Sequence, residues 1–419
     1  MLLQYFQKFF VFDDRQGLKK PINYFITCLT LLGVFSLLFN SFHLIGGVLW
    51  TVLSMLASGI GIYFLTKIIN DFTFESSYFK FVFILLSIYL FTLIVRGLSL
   101  SYTVIKELIL EDSLLWPFII PIFVFFNKRL SSFVYLLNAI YFLGVTFLLV
   151  CLVNPSLITN RNTAETFIHT FVFSCGLLLL NARYISGRKK IVSFVALLVG
   201  FLSLTYLARR NGVVSYGALL IFGLLINITS LKGSQFFKLI PIFCTIFIFI
   251  VIGLEYLPAS LTSRLAERVT EDSRSVVFTD LFKDMEDHMV FGKGMKGEYY
   301  SPTGGELEDE GVVFISQDYR NGIENGYLQL FLNGGIIYDV LFLLVTLPAA
   351  IIGFFYSKNQ FVKSFAIIIF LWLIDMTIYG VPRLLLEYIL VWIGVGVCYK
   401  KSLRQLTNTE VAEAFKKIE

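Results

Sequence analysis

The 419-residue chain is 57% hydrophobic and only 15% charged, with a formal net charge of +5 and a mean hydropathy of +0.79. Soluble domains carry about 25% charged residues, so the composition excludes a soluble globular domain and points to a polytopic membrane protein. The modest positive balance is what cytoplasmic loops retain, and nothing in it indicates a nucleic-acid partner.

Apolar windows in chain order predict spans near 22–41, 44–66, 80–98, 114–127, 131–153, 165–181, 191–207, 213–229, 239–256, 337–356, 362–380 and 384–399. The expected fold is therefore an all-α transmembrane bundle of about twelve spans, with one large polar loop that contains short helices. The window at 114–127 is short and holds Pro117 and Pro121, so a kinked or partly re-entrant helix is expected there. Three parts follow: N-terminal helices over 1–180, a core over 181–400 that includes the polar loop 258–324, and a tail over 401–419. Cys28, Cys151, Cys175, Cys244 and Cys398 all lie in apolar runs and read as small buried hydrophobes, not as a disulfide framework or a zinc set. The charged first twenty residues predict no cleavable leader.

Orientation follows from lysine and arginine asymmetry. With the N-terminus inside, the cytoplasmic segments hold the clusters Lys8 to Lys20, Arg183 to Lys190 and Lys400 to Arg404. The opposite short loops hold only Arg96, Lys106, Arg161, Arg209, Arg210 and Arg383. Both termini are then cytoplasmic and the polar loop is external.

Arg209 and Arg210 stand together in a tight turn between two spans, on the side where basic residues are disfavoured. A guanidinium fork suits phosphate oxygens. The alternative is that both snorkel to lipid headgroups. In the polar loop, Leu261 to Met289 reads as a helix lying on the bilayer, with an apolar stripe of Val277, Leu281, Phe282 and Met285. Phe291-Gly-Lys-Gly-Met-Lys-Gly297 is a glycine-rich turn carrying Lys293. Amides in such a turn can cradle phosphate. The spacing fits neither a Walker loop nor a dinucleotide fingerprint, and an ordinary loop is expected. Glu306, Glu308, Asp309 and Glu310 form a solvated acidic stretch. Glu324-Asn325 then stand where the chain returns to the membrane. Glu324 is suited to general-base work, because partial desolvation raises a carboxylate's pKa toward neutrality; equally, the pair can cap the helix that follows.

The order of an arginine turn between mid-chain spans, a large loop with Arg274 near its start, a Gly-x-Gly turn, and Asn325-Gly-Tyr327-Leu328 followed by Gly334-Gly335-Ile336 resembles the bacterial O-antigen polymerase and O-antigen ligase superfamily over roughly residues 180–400. The resemblance implies a metal-independent, cofactor-free glycosyltransferase of the bacterial cytoplasmic (inner) membrane. Its substrate would be an undecaprenyl-pyrophosphate-linked oligosaccharide, its setting membrane lipid, and a chain-length regulator a further partner. It implies that Arg210 and Arg274, with Arg209 beside them, hold the pyrophosphate. Arg320, Asn325, Tyr327 and Lys293 would orient substrate. Ligases carry a histidine before the Asn-x-Tyr-Leu element; this chain has Glu324, which favours polymerase over ligase, and His288 in the same loop is the other base. His43 and His169 lie at or in spans and are expected to be packed. Asp375 and Glu387 are the clearest charges within spans, expected to pair with Arg383. A transporter or lipid flippase is the reading of a different class, but the chain shows no matching halves.

The charge alternation makes a topological prediction. In intact cells a membrane-impermeant thiol reagent should label a cysteine introduced into 258–324 and leave Ser186→Cys untouched. Labelling of the second position alone would invert the assignment.

Overall fold

The computed structural model describes residues 74–98, 113–126, 130–159, 161–207, 209–229, 273–301, 319–378 and 380–417, with isolated positions between 24 and 108. The spans expected at 22–41, 44–66 and 239–256, the stretch 261–272 and the acidic residues Glu306 to Glu310 lie outside the described residues, as do His43 and the side chains of Arg210 and Arg274.

The first long helix, α1 (Ser77–Gly97), starts where Ser76 accepts the Phe79 N–H at 3.2 Å. It buries Phe79, Phe83, Leu86, Leu90 and Leu93 on one face and exposes Phe81, Ile88 and Phe91 on the other. An apolar outer face opposite an apolar inner face suits lipid. Trp116–Ile119 (α2) passes into a 3-10 helix over Ile120–Phe126. Pro121 has no N–H for the α-helical ladder, and the turn tightens there, as the two prolines led one to expect.

Four helices follow: α3 (Leu130–Val153), α4 (Arg161–Leu180), α5 (Gly187–Tyr206) and α6 (Arg210–Thr229). The polar loop contributes α7 (Ser273–Asp284) and a two-residue antiparallel pair, β1 (Tyr299–Tyr300) with β2 (Tyr319–Arg320), in the register Tyr299 opposite Arg320. The chain then forms α8 (Gly326–Phe355), α9 (Gln360–Asp375) and α10 (Leu386–Tyr399), and ends with α11 (Lys401–Gln405) and α12 (Asn408–Lys416). Among the described residues four helices are long and apolar enough to cross a membrane: Ser77–Gly97, Ser132–Val153, Gly187–Tyr206 and Gly326–Phe355. Shorter apolar helices accompany them.

The centre of the bundle is α10, in which every residue from Glu387 to Tyr399 is buried. It packs against α4, α8, α9 and the 3-10 segment after α2. The tail is also part of the fold. Asn359 donates to the Leu403 and Leu406 carbonyls at 2.8 and 2.9 Å, Tyr184 hydrogen-bonds Asn408, and Val411 and Phe415 are buried.

Two expectations are corrected here. The stripe on α7 is divided and not wholly turned to bilayer: Leu281 and Met285 are buried with Tyr299, Ile323 and Leu332 in a small core of their own and Val277 packs on it, while Phe282 stays exposed. Apolar side chains already satisfied by such a core are withdrawn from lipid. And α8 begins at Gly326, well before the expected 337, because it continues through a break at Gly335, where φ is 59° and ψ is −168°.

That break is closed by the glycine-rich turn. An unbroken helix would bond the N–H of Ile336 to the carbonyl of Leu332 and that of Ile337 to Asn333. Instead Lys293 and Gly294 donate to the Leu332 and Asn333 carbonyls, each at 2.8 Å, while Ile336 and Ile337 donate to Met289 and Val290 at 2.9 and 3.4 Å. The turn thus takes two bonds and returns two. The Tyr89 hydroxyl caps the Gly334 carbonyl at 2.6 Å, and Arg96 grips the Phe291 and Gly292 carbonyls at 2.8 and 2.9 Å.

Such an approach leaves no room for side chains. A Cβ on Gly292 would stand 2.4 Å from the Gly334 nitrogen, and one on Gly335 would stand 2.4 Å from the Val290 carbonyl carbon; both glycines have φ near +59°. Gly292→Ala and Gly335→Ala should each destabilise the protein by about 3 kcal/mol, the left-handed backbone and the overpacking adding together. Gly322→Ala, with nothing within 4 Å, should stay within about 0.5 kcal/mol of the parent. Thermal unfolding in detergent checks this, and equal melting of all three variants would refute the interlock.

Candidate functional site

The end of the bundle that bears the polar loop gathers most of the residues singled out by sequence. The turn between α5 and α6 is as tight as expected. Arg209 donates its N–H to the Leu204 carbonyl at 2.9 Å and accepts from Val213 at 3.1 Å. Gly212 lets the two helices close, since a Cβ there would meet Leu204 Cδ1 at 2.5 Å. Arg209 is half-buried, and α6 begins at Arg210.

At the start of α8, Asn325 is the N-cap: its side chain accepts from the Leu328 N–H at 3.0 Å. The same side chain donates to the Thr377 carbonyl at 2.7 Å, and the Gly326 N–H donates to Met376 at 2.9 Å. Glu324 beside it is exposed. Tyr327 is a tie between helices, donating its hydroxyl to the Leu373 carbonyl at 2.9 Å. Gln329, which the sequence did not single out, closes the turn by accepting from Ile323 at 2.9 Å and donating to Asn321 at 3.2 Å.

The segment after α9 therefore receives the start of α8. It also receives α6. Asp375, the last residue of α9, accepts a 3.0 Å hydrogen bond from Ser215, both groups being buried. Ser215 is five residues from Arg210, about 7.5 Å along the helix. The structure thus bonds both α6, which begins at Arg210, and the Glu324–Asn325 turn to the one segment 375–377.

Next to that bond, His169 Nδ1 of α4 lies 3.4 Å from Glu387 Oε2 of α10, with both side chains nearly inaccessible. The imidazole meets Tyr216 edge-on at 5.5 Å between ring centres. Glu387 is thus held by His169, where pairing with Arg383 was expected. His169 is packed, as expected, but against a carboxylate. The residue types gave one signal for this cluster, ionisable side chains in apolar spans; the partners were not readable from spacing.

One other expectation is revised, and one is kept. Lys293 is not a free cation for substrate: its ammonium is paired with Asp284 and donates to the Glu298 carbonyl at 3.0 Å. The glycine-rich turn offers no phosphate cradle either, since the N–H groups of Gly292, Lys293, Gly294 and Gly297 go to the carbonyls of His288, Leu332, Asn333 and Gly294. It is the ordinary loop expected, given over to joining the break in α8. His288 is exposed in the 3-10 turn Glu286–His288. Arg320, partly exposed, stands in register with buried Tyr299; burial pushes the Tyr299 hydroxyl pKa up, and Arg320 beside it pulls the other way.

The dual bonding of Asn325 is testable. Asn325→Asp keeps an acceptor for Leu328 and loses the donor to Thr377, a cost of about 1 kcal/mol. Asn325→Ala loses both, about 2 kcal/mol in all. Denaturant unfolding should rank them in that order, and an Asp variant as damaged as the Ala variant would refute the cap. Compared with known proteins, the chain matches no family model, no curated protein and no solved structure.

Proposed function

We propose that the chain is a membrane glycosyltransferase that polymerises undecaprenyl-pyrophosphate-linked oligosaccharide units at the outer face of the bacterial cytoplasmic membrane. The observation that supports this reading is the joint anchoring just described: α6, five residues after Arg210, and Asn325, next to the exposed Glu324, are both bonded to the segment 375–377, through Ser215–Asp375 at 3.0 Å and Asn325–Thr377 at 2.7 Å. Guanidinium groups on one side and a carboxylate on the other are the two chemistries that such a transfer needs.

In the proposed reaction an acceptor-sugar hydroxyl oxygen attacks the anomeric carbon of the donor. The bond from that carbon to the pyrophosphate oxygen breaks, and its electron pair stays on the oxygen. Arg209, Arg210 and Arg274 offset the charge that develops there, and the acceptor proton passes to Glu324. Pyrophosphate is a good leaving group, so these residues supply the chemistry without a further group.

The transporter alternative gains little from the broken helix. In broken-helix transporters, freed carbonyls coordinate the coupling ion. Here the carbonyls of Leu332, Asn333 and Gly334 are already taken by Lys293, Gly294 and Tyr89. Transfer to lipid A by a ligase is the nearer alternative. Loss of a polymerase leaves single-repeat glycan on lipid A, whereas loss of a ligase leaves undecaprenyl-linked polymer.

Polymer formation from purified lipid-linked repeat units tests the roles. Glu324→Gln keeps shape and removes basicity, so turnover should fall about a hundredfold or more with little change in melting temperature. Arg274→Lys keeps charge but loses the fork, and should lose roughly tenfold to a hundredfold. Normal turnover by the Gln variant would move the base elsewhere, to His288 first.

A further inference from the structure

Asp375 and Glu387 flank one connection, and each is bonded to a residue within another helix. Asp375, at the end of α9, accepts from Ser215 of α6. Glu387, the second residue of α10, meets His169, the ninth residue of α4, and that imidazole rests on Tyr216, the seventh residue of α6. At 1.5 Å per residue Ser215, Tyr216 and His169 are about 7.5–12 Å inside their own helices. The start of α10 is therefore recessed by roughly two turns, and α10, with 14 residues, spans only about 21 Å, short of the roughly 30 Å hydrocarbon layer. Two carboxylates are carried down to helical neighbours at a depth where ionisable groups are costly.

Packing alone does not account for them. Well-packed apolar residues in place of a buried polar pair are often neutral or stabilising, and the surroundings are otherwise apolar, with Leu219, Leu373, Tyr388 and Ile389 buried nearby in sequence. What the acids provide is direction. Both bind α6 or its contact His169 just below Arg209–Arg210, while the backbone between them, at Met376 and Thr377, accepts from Gly326 and Asn325 next to Glu324. The connection after α9 is gripped from both sides.

We infer that Asp375 and Glu387 are positioning residues: through Ser215 and His169 they fix the Arg209–Arg210 turn relative to Glu324 and Asn325. Their catalytic importance rests on the transferase reading above; the mechanical coupling does not. The arginines and the carboxylate come from helices distant in sequence, and a misplacement of about 1 Å can cost a hundredfold in rate.

The test uses the full-length protein in detergent or nanodiscs, with polymer formation from lipid-linked repeats and hydrogen exchange measured on the same samples. Ser215→Ala and Asp375→Ala should lower kcat about tenfold to a hundredfold while KM for the lipid-linked donor moves less than about threefold, as expected when only transition-state contacts are lost. Asp375→Asn, whose amide oxygen still accepts from Ser215, should recover kcat to within about threefold of the parent. Ser215→Ala should also speed amide exchange over 324–328, a segment bonded to the end of α9 and the residues after it through Leu373, Met376 and Thr377. Unchanged kcat in both alanine variants, or exchange changes confined to 212–216, would overturn the inference. If the parent makes no polymer but exchange at 324–328 still responds, the transferase reading fails and the coupling stands.

Discussion

The fold depends on one requirement: a backbone group in or near lipid must be bonded within the protein. A helix meets that requirement alone until it breaks, and α8 breaks at Gly335. The turn at 289–294 meets it instead, exchanging two carbonyls and two amides with the interrupted ladder. Because the turn has to come within backbone contact of Gly334 and Gly335, it carries Gly292 there. Its own carbonyls at Phe291 and Gly292 are in turn bonded by Arg96 of α1, and Phe291 also by Tyr89. The small core of Leu281, Met285, Tyr299, Ile323 and Leu332 then has a fixed wall to pack on. The polar loop is thus built onto the bundle from its last third inward.

The same economy explains why the basic and acidic candidates play such different parts. Lys293 is absorbed by Asp284, and Lys296 by Glu107 at 2.7 Å. Arg96 is absorbed by carbonyls. Cations in the turn thus hold the loop together, while the Arg209–Arg210 turn, made by two helices closing over Gly212, stands at the junction that also receives Asn325. The proposed chemistry is assigned to that junction for this reason.

Much of the architecture was legible in the sequence, because periodic apolar runs and proline positions report directly on helices: α1, α3 and α5 fall within a few residues of the expected spans, and the short, tightened helix at 116–126 was announced by Pro117 and Pro121. The tight arginine turn and the capping role of Asn325 were legible for the same local reason. The break in α8 was not. The apolar window placed the span only from 337, since a helix interrupted and repaired by a segment some forty residues upstream leaves no periodic trace. Nor were the Ser215 bond of Asp375 and the His169 contact of Glu387 readable. Their presence in apolar spans marked them, but pairing at depth depends on how far each helix is recessed, a property of the assembled bundle. The α7 stripe was misdirected by the membrane context: an amphipathic helix beside a bilayer has two apolar media to choose from, and here Tyr299 and Leu332 offered the closer one.

The interlock also orders the birth of the molecule. Every partner in it other than α8 is made before α8: Tyr89 and Arg96 first, then the turn, then the helix that needs them. When Gly334 and Gly335 leave the ribosome, the groups that will complete their ladder are already on hand, and the open stretch of backbone can be closed as the helix inserts, with no later rearrangement of the bundle. A circular permutation that began the chain between Gly294 and β1 would put α8 ahead of all these partners and leave it to enter the bilayer with its break unsealed.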